Sequence, residues 1–383
     1  MVSLSAIYPI LILIGAFLSL IVLMIIHEFG HFIIAKKFGV KVEEFGIGYP
    51  PRICGKKIGE TIYSLNWIPL GAFVRILGEE GGVDDYRSFT NLKIWQRVLI
   101  IIGGVVAFWI TAIVLFSVVF AIGADLPAND TDIIENAQLK VVSISNDSPA
   151  SNAGLQVRDT IKGITINGVE TPINKVSEFQ TITGENRGKE IAITVERGSQ
   201  NDLQTLNLKL TPRVNPPEGE GVVGIGIQRM ATLIQKTAWY MAPVQGTIYT
   251  WQMTVGTVEG LYVLLAGLVG GNGNVTGENF AGPLGITIFM ANAASYGAGF
   301  FLYFIGIISV SLAIFNLFPI PALDGGKLIF LTIEKIKGKP VSEKVEGWIT
   351  TVCFVTLIVL SLYITVRFDI SRFANFLQSA LSR

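Results

Sequence analysis

Two histidines occur in the 383-residue chain, and they stand four positions apart, in His27-Glu28-Phe29-Gly30-His31. On a helix, side chains at i and i+4 share a face, so both imidazoles can reach one ion. The spacing is that of H-E-x-x-H, in which zinc takes the two imidazoles and the glutamate serves as general base. Glu28 would take a proton from the attacking water. The setting sharpens this five-residue signal. The motif closes a long apolar run and is flanked by Ile25, Ile26 and Phe32. Polar or ionisable groups at such a place cost at least ~2.5 kcal/mol each unless they are partnered.

A catalytic zinc takes three protein ligands and keeps a fourth position open. With no third histidine, the remaining ligand is a carboxylate or a thiol. The candidate is Asp324, in Asn316-Leu317-Phe318-Pro319-Ile320-Pro321-Ala322-Leu323-Asp324-Gly325-Gly326. Two prolines there break the end of an apolar run. Irregular backbone at membrane depth is tolerated where it is buried or lines a wet cavity, which a hydrolase needs. Asp324-Gly325 also reads as an ordinary turn, and the residues alone leave both readings open. Cys54, in a basic loop, and Cys353, in an apolar run, form no CxxC pair and read as ordinary thiols.

The elements that position these residues are mostly membrane helices. Half of the chain is hydrophobic and 15% is charged, against about 25% charged in soluble domains. Four runs are long enough to span a bilayer: about Ile7 to Ile34, Val98 to Gly123, Gly299 to Phe318 and Trp348 to Val366. The first lacks a basic leader and a small-residue cleavage site, so it reads as a retained helix. Val258 to Val269 is apolar but too short to span, and reads as interfacial or re-entrant. Lys and Arg crowd the stretch from Lys36 to Arg97 and the stretch from Lys327 to Lys344. The positive-inside rule places both in the cytoplasm, with the termini and the insert after the second span outside. Net charge is zero, and nothing points to nucleic acid.

That insert, residues 125–228, reads as a small β-rich domain. Leu139 to Ile144, Glu190 to Val195 and Leu206 to Leu210 alternate with period two, and a last short strand is expected around Val222 to Ile227. It separates an N-terminal membrane half, 1–124, from a C-terminal one, 229–383. Thr61 to Leu77 also alternates and reads as a strand or hairpin on the inner face.

Together these residues resemble the site-2 protease family of intramembrane zinc metalloproteases, in particular the bacterial branch with one extracytoplasmic PDZ domain. His27, Glu28 and His31, with Asn316, Pro319, Leu323, Asp324 and Gly325, meet its paired HExxH and N-x-x-P-x-x-x-L-D-G signature. Pro69 to Arg75 with Gly78-Glu79 looks like its membrane re-entrant β-loop, and Gly282-Pro283-Leu284-Gly285-Ile286 like its G-P-x-G-I element. Ser148-Pro149-Ala150, Ala153-Gly154-Leu155, Asp159 and Ile166-Asn167-Gly168 resemble the protease-type PDZ pattern. There are departures. Arg158 stands where Gly usually precedes the Asp, and Ala72 replaces a second Gly. Phe108 replaces a common Asn of the second helix, a change expected to leave the metal site untouched.

The resemblance implies a polytopic α-helical membrane protein with about four transmembrane helices, a membrane re-entrant β-hairpin and an inserted PDZ-like domain. It implies a zinc metalloendopeptidase of the cell membrane. One Zn²⁺ per chain would be bound by His27, His31 and Asp324, with Glu28 as base and Asn316 positioning substrate. Capping of freed backbone before Pro319 is the alternative role for Asn316. The implied partners are the lipid bilayer and single-span membrane proteins, such as an anti-sigma-factor-like substrate. The PDZ-like domain would gate access. The rival readings are a catalytically silent PDZ scaffold, which should have lost Glu28 or a ligand, and a metal-binding transporter, which should show repeated halves. A tethered soluble peptidase would carry its motif in a polar domain.

Overall fold

Long runs of Leu, Ile, Val and Phe build the helices that frame the site. The computed structural model describes residues 4–79, 81, 85–127, 130, 137–145, 147–198, 203–217, 220–234, 237–270 and 280–381. The chain divides into two units, one joining 1–121 to 238–383 and the other covering 122–237.

In the first unit, α1 (Leu4–Lys37) leads into strands β1 (Val42–Ile58) and β2 (Thr61–Ile76), followed by α2 (Ile94–Ile122). After the second unit come α5 (Ala242–Gly270), α6 (Pro283–Ser295), α7 (Ala298–Asn316), α8 (Asp324–Lys337), α9 (Glu343–Ile364) and α10 (Ile370–Leu381). A single π turn, Thr365–Asp369, joins the last two. Among the described residues, four helices are long and apolar enough to cross a membrane: Ile10–Lys37, Ile94–Ile122, Ala298–Asn316 and Glu343–Ala374. These match the four runs read from the sequence. Val258 to Val269, expected to be interfacial or re-entrant, is not among these four. That stretch is the second half of the 29-residue α5, about 43 Å long at 1.5 Å per residue. Polar residues such as Gln245, Thr247 and Gln252 dilute the hydropathy of its first half and hide its length.

Leu23, Val105, Phe108, Met290, Ile305 and Ala313 form one buried cluster among α1, α2, α6 and α7. A second cluster, with Ala35, Val42, Ile76, Ile100 and Leu331, seats the hairpin and α8 against α1 and α2. The hairpin is more than two strands. Residues 44–47 pair with 62–65 on one side and with 72–75 on the other, and 52–58 pair with 61–66. Both strands therefore bend back, giving four segments in the order 52–58, 61–66, 44–47, 72–76. The basic run around Cys54, read from sequence as loop, is an outer segment of this sheet. At its centre lies Glu44, 5% exposed. It accepts hydrogen bonds from Arg52 and Ser64, each at 2.6 Å, and Arg75 Nη1 lies 3.8 Å away.

In the second unit, β3 (Ala124–Pro127), β4 (Gln138–Ile144), β5 (Thr160–Ile166), β6 (Val169–Pro172), β7 (Ile191–Arg197), β8 (Gln204–Leu210) and β9 (Ile225–Ile234) form one antiparallel sheet. Two helices, α3 (Pro149–Asn152) and α4 (Val176–Glu185), pack with it. Leu139, Val141, Ile161, Ile164, Ile191 and Ile193 fill its core. The last strand begins three residues later than expected and is longer. Arg158 takes the left-handed conformation, φ 81°, that glycine adopts without cost. The turn survives the departure because Asp159 is fixed by a two-point pair with Arg197, at 2.8 and 2.7 Å.

Candidate metal centre

The centre is assembled from both ends of the first unit's chain. His27 and His31 lie one turn apart on α1, both buried, with their Nε2 atoms 3.2 Å apart. The ring of His31 is oriented from behind: its Nδ1 lies 2.8 Å from the Ile100 carbonyl oxygen. A carbonyl can only accept, so Nδ1 carries the proton and Nε2 presents its lone pair forward. His27 Nδ1 faces the Gly104 backbone without a well-formed hydrogen bond. The His27 ring stacks on Phe108, centroids 4.7 Å apart.

The helix α2 supplies the floor. A Cβ at Gly104 would stand 2.4 Å from His31 Nε2 and 2.5 Å from His27 Cε1. One turn along α1, Gly30 meets Gly103 so closely that a Cβ on either would strike the other's carbonyl oxygen, at 2.3 and 2.8 Å. Small residues let apolar helices approach at backbone distance, and here that approach brings the imidazoles over α2.

The third group arrives from the far end of the sequence. The helix α7 stops at Asn316, the Leu317–Leu323 segment turns, and Asp324 opens α8. Gly325 and Gly326 sit against the Leu317, Phe318 and Ile320 carbonyls, where any side chain would collide. Asp324 is thereby delivered 8% exposed, with Oδ2 at 3.4 Å from His27 Nε2 and 3.5 Å from His31 Nε2. That oxygen is buried and accepts no hydrogen bond.

Three donor atoms separated by 3.2, 3.4 and 3.5 Å match a tetrahedral zinc. Bonds of about 2.0–2.2 Å place its ligand atoms roughly 3.3–3.5 Å apart. Among the described residues this is the group of His, Cys, Asp and Glu side chains that could hold a metal. An orphaned carboxylate oxygen beside two imidazole lone pairs is costly without a cation, so the set fits the ion. Glu28, half-buried, lies within electrostatic reach of His31, Asp324 and Lys327.

The sequence-derived residues do not all converge. Asn316 donates its amide N–H to the Leu312 carbonyl at 3.0 Å, the local backbone contact rather than one with the three donors. Position 108 does not leave the site untouched: its ring forms a wall of it. A lone aromatic in an apolar helix gives no sign of this. Gly103-Gly104 does carry a signal, since paired glycines in an apolar helix mark a close approach.

Known proteins resemble this chain over most of its length. The description Peptidase family M50 matches residues 15–360. A Clostridium perfringens protein named as a zinc metalloprotease is 33% identical over 356 residues, 93% of this chain and 97% of its own. One of the same name in Clostridium acetobutylicum is 32% identical over 355 residues, 92% of this chain and 95% of its own. The regulator of sigma-E protease of Escherichia coli is 29% identical over 437 aligned positions, 88% of this chain and 94% of its own.

Proposed function

Because the chain belongs to peptidase family M50 and is a zinc metalloprotease, we propose that it cleaves single-span membrane proteins within or beside their transmembrane segments. The carrying observation is the triangle of His27 Nε2, His31 Nε2 and Asp324 Oδ2, buried at the end of an apolar helix. These three would hold one zinc per chain. When bound, the ion supplies Lewis acidity and makes water acidic enough to react near neutral pH. Glu28 takes the proton of the attacking water and passes it to the leaving amine. The apolar floor of Phe108 and Val105 limits bulk water around that transfer.

A helical peptide bond is shielded by its own hydrogen bonds, so the substrate must unwind locally. The bent β-hairpin supports a means of holding it. Its outer segments, 52–58 and 72–76, each have one side without a strand partner among the described residues. Addition of a strand to such an edge grips main chain with little sequence demand. The hairpin carries exposed Tyr49, Ile53, Leu65, Trp67 and Ile68, which suits insertion into the bilayer. Charge placement supports a cytoplasmic active-site face, with the PDZ-like unit and both termini outside. The name of the Escherichia coli relative makes a membrane-bound regulator of transcription, anti-sigma-factor-like, a reasonable substrate class.

Glu28→Gln tests the reading. It keeps shape and removes the base. Cleavage of a co-expressed single-span protein should fall at least ~10²-fold, with zinc content unchanged. Unaltered turnover would overturn the proposed role of Glu28, and a Glu28→Gln protein that loses its zinc would overturn the ligand set.

A further inference from the structure

An ion pair beside the metal centre is absorbed by neither the fold nor the chemistry above. Lys327 Nζ donates to Glu79 Oε1 at 2.6 Å, across 248 positions of sequence. Lys327 lies on the first turn of α8, three residues after Asp324. Glu79 lies three residues past the end of β2. We propose that this pair is a positioning clamp, which holds the hairpin in register with the segment that delivers Asp324. The proposal rests on the reading that the hairpin holds substrate.

Both ends of the clamp are fixed by backbone. On one side, Gly325 and Gly326 pack closely against the Leu317, Phe318 and Ile320 carbonyls, which anchors the turn that leads into Lys327. On the other, Leu77 N–H donates to Lys41 O at 3.0 Å and Phe89 N–H to Leu77 O at 2.8 Å. Between them Gly78 turns through φ 74°, so close to Ser88 that a Cβ would strike its hydroxyl. A pair between two such anchors links the positions of the two segments.

The helix α8 has a second tie at its other end. Arg97 on α2 grips Glu334 with two hydrogen bonds, 2.9 and 2.5 Å. That tie fixes α8 to the floor of the metal centre but says nothing to the hairpin. Lys327–Glu79 is, among the described residues, a polar link between α8 and the chain leaving β2. Lys327 is 43% exposed on its side chain and Glu79 17%, and pairs of that exposure contribute little to stability. Its value is therefore geometric. A substrate strand lying on the hairpin meets the metal centre at the distance that this link sets.

A double-mutant cycle on the purified full-length zinc protein, cleaving a single-span protein substrate, tests the clamp. Lys327→Met removes one partner and Glu79→Leu the other, while the second leaves the lysine charge in place. Each should lower kcat about 10-fold, within what small misplacements of reacting groups cost, with KM changed less and zinc content retained. The double variant should be no slower than either single one, because a single link is lost in all three. Lys327→Arg, which can still reach Glu79, should keep near wild-type kcat. A Glu79→Leu enzyme with wild-type kcat would overturn the clamp and assign the effect to the lysine charge alone. A double variant about 100-fold slower, the product of independent losses, would overturn it as well, as would loss of zinc from the single variants. Failure of the hairpin reading registers separately: the wild type would then cut a short peptide around the scissile bond as well as the full substrate.

Discussion

Gly104 contributes to the centre through the space it leaves. Its missing side chain is where His27 and His31 stand. Gly104→Ala should push the imidazoles off their shared point and cut zinc affinity at least ~10-fold, the low end for losing a group that orients ligands. Gly15→Ala, on the same helix as the histidines with nothing within 4 Å, should leave zinc content alone; metal analysis of the two proteins compares them. The spacing of His27 and His31, with Glu28 beside them, put two imidazoles on one helix face, whereas Asp324 also read as an ordinary turn and stood out only through the resemblance. The places of Phe108 and the Ile100 carbonyl were not legible, and of Gly104 only its pairing with Gly103 gave a sign. They act through absence, shape and backbone, and only the approach of α1 to α2 gives them a role. Asn316 shows the converse: a residue conspicuous in the motif whose amide hydrogen bond is to its own helix.

At the scale of elements, the hairpin is the part least readable in advance. The alternation of residues 61–77 was plain. Residues 42–58 carry charges, glycines and two prolines, and become strand only because 44–47 lie between 62–65 and 72–75 and 52–58 pair with 61–66. Long-range pairing decides there, and local pattern does not. Glu44 holds the bend together. Burial works against its charge, but the Ser64 hydroxyl and the Arg52 guanidinium outweigh that and hold the carboxyl below its ordinary value of 4.5. A depressed folded-state pKa means that the stabilisation is present above that value and is lost as pH falls through the folded one. Amide exchange in 44–47 and 62–65, corrected for its intrinsic rate, should therefore accelerate as pH drops below 4.5. In Glu44→Gln the protection should be lower at neutral pH and flat across that window. Equal pH profiles for the two proteins would remove Glu44 from this role.

For the whole molecule, hydropathy located the four helices long and apolar enough to span a bilayer, because apolar length is a direct physical requirement of the bilayer. It could not register α5, whose polar residues lower its average. Nor could it show that α9 has no buried residue, since packing leaves no mark in a uniformly apolar run. The proposed orientation is checked by labelling. With Cys54 and Cys353 replaced by Ser, a single cysteine at Glu190 should react with an impermeant thiol reagent from outside the cell. One at Lys57 should react only after the membrane is opened. The reverse pattern would invert the molecule and move the catalytic face.

The centre draws His31 and Asp324 from opposite ends of the chain, and this sets a schedule for synthesis. A ribosome adding ~5–20 residues per second needs roughly 15–60 s to travel the roughly 300 residues between them. Throughout that interval the HExxH helix lies in the membrane with two of its three proposed ligands. The nascent chain, and any fragment cut short before the Leu323-Asp324-Gly325 turn, would be a protease without a complete metal site. Hydrolytic capacity would then arrive late, once the turn that opens α8 is made, so a half-made enzyme would not attack the membrane proteins being inserted around it.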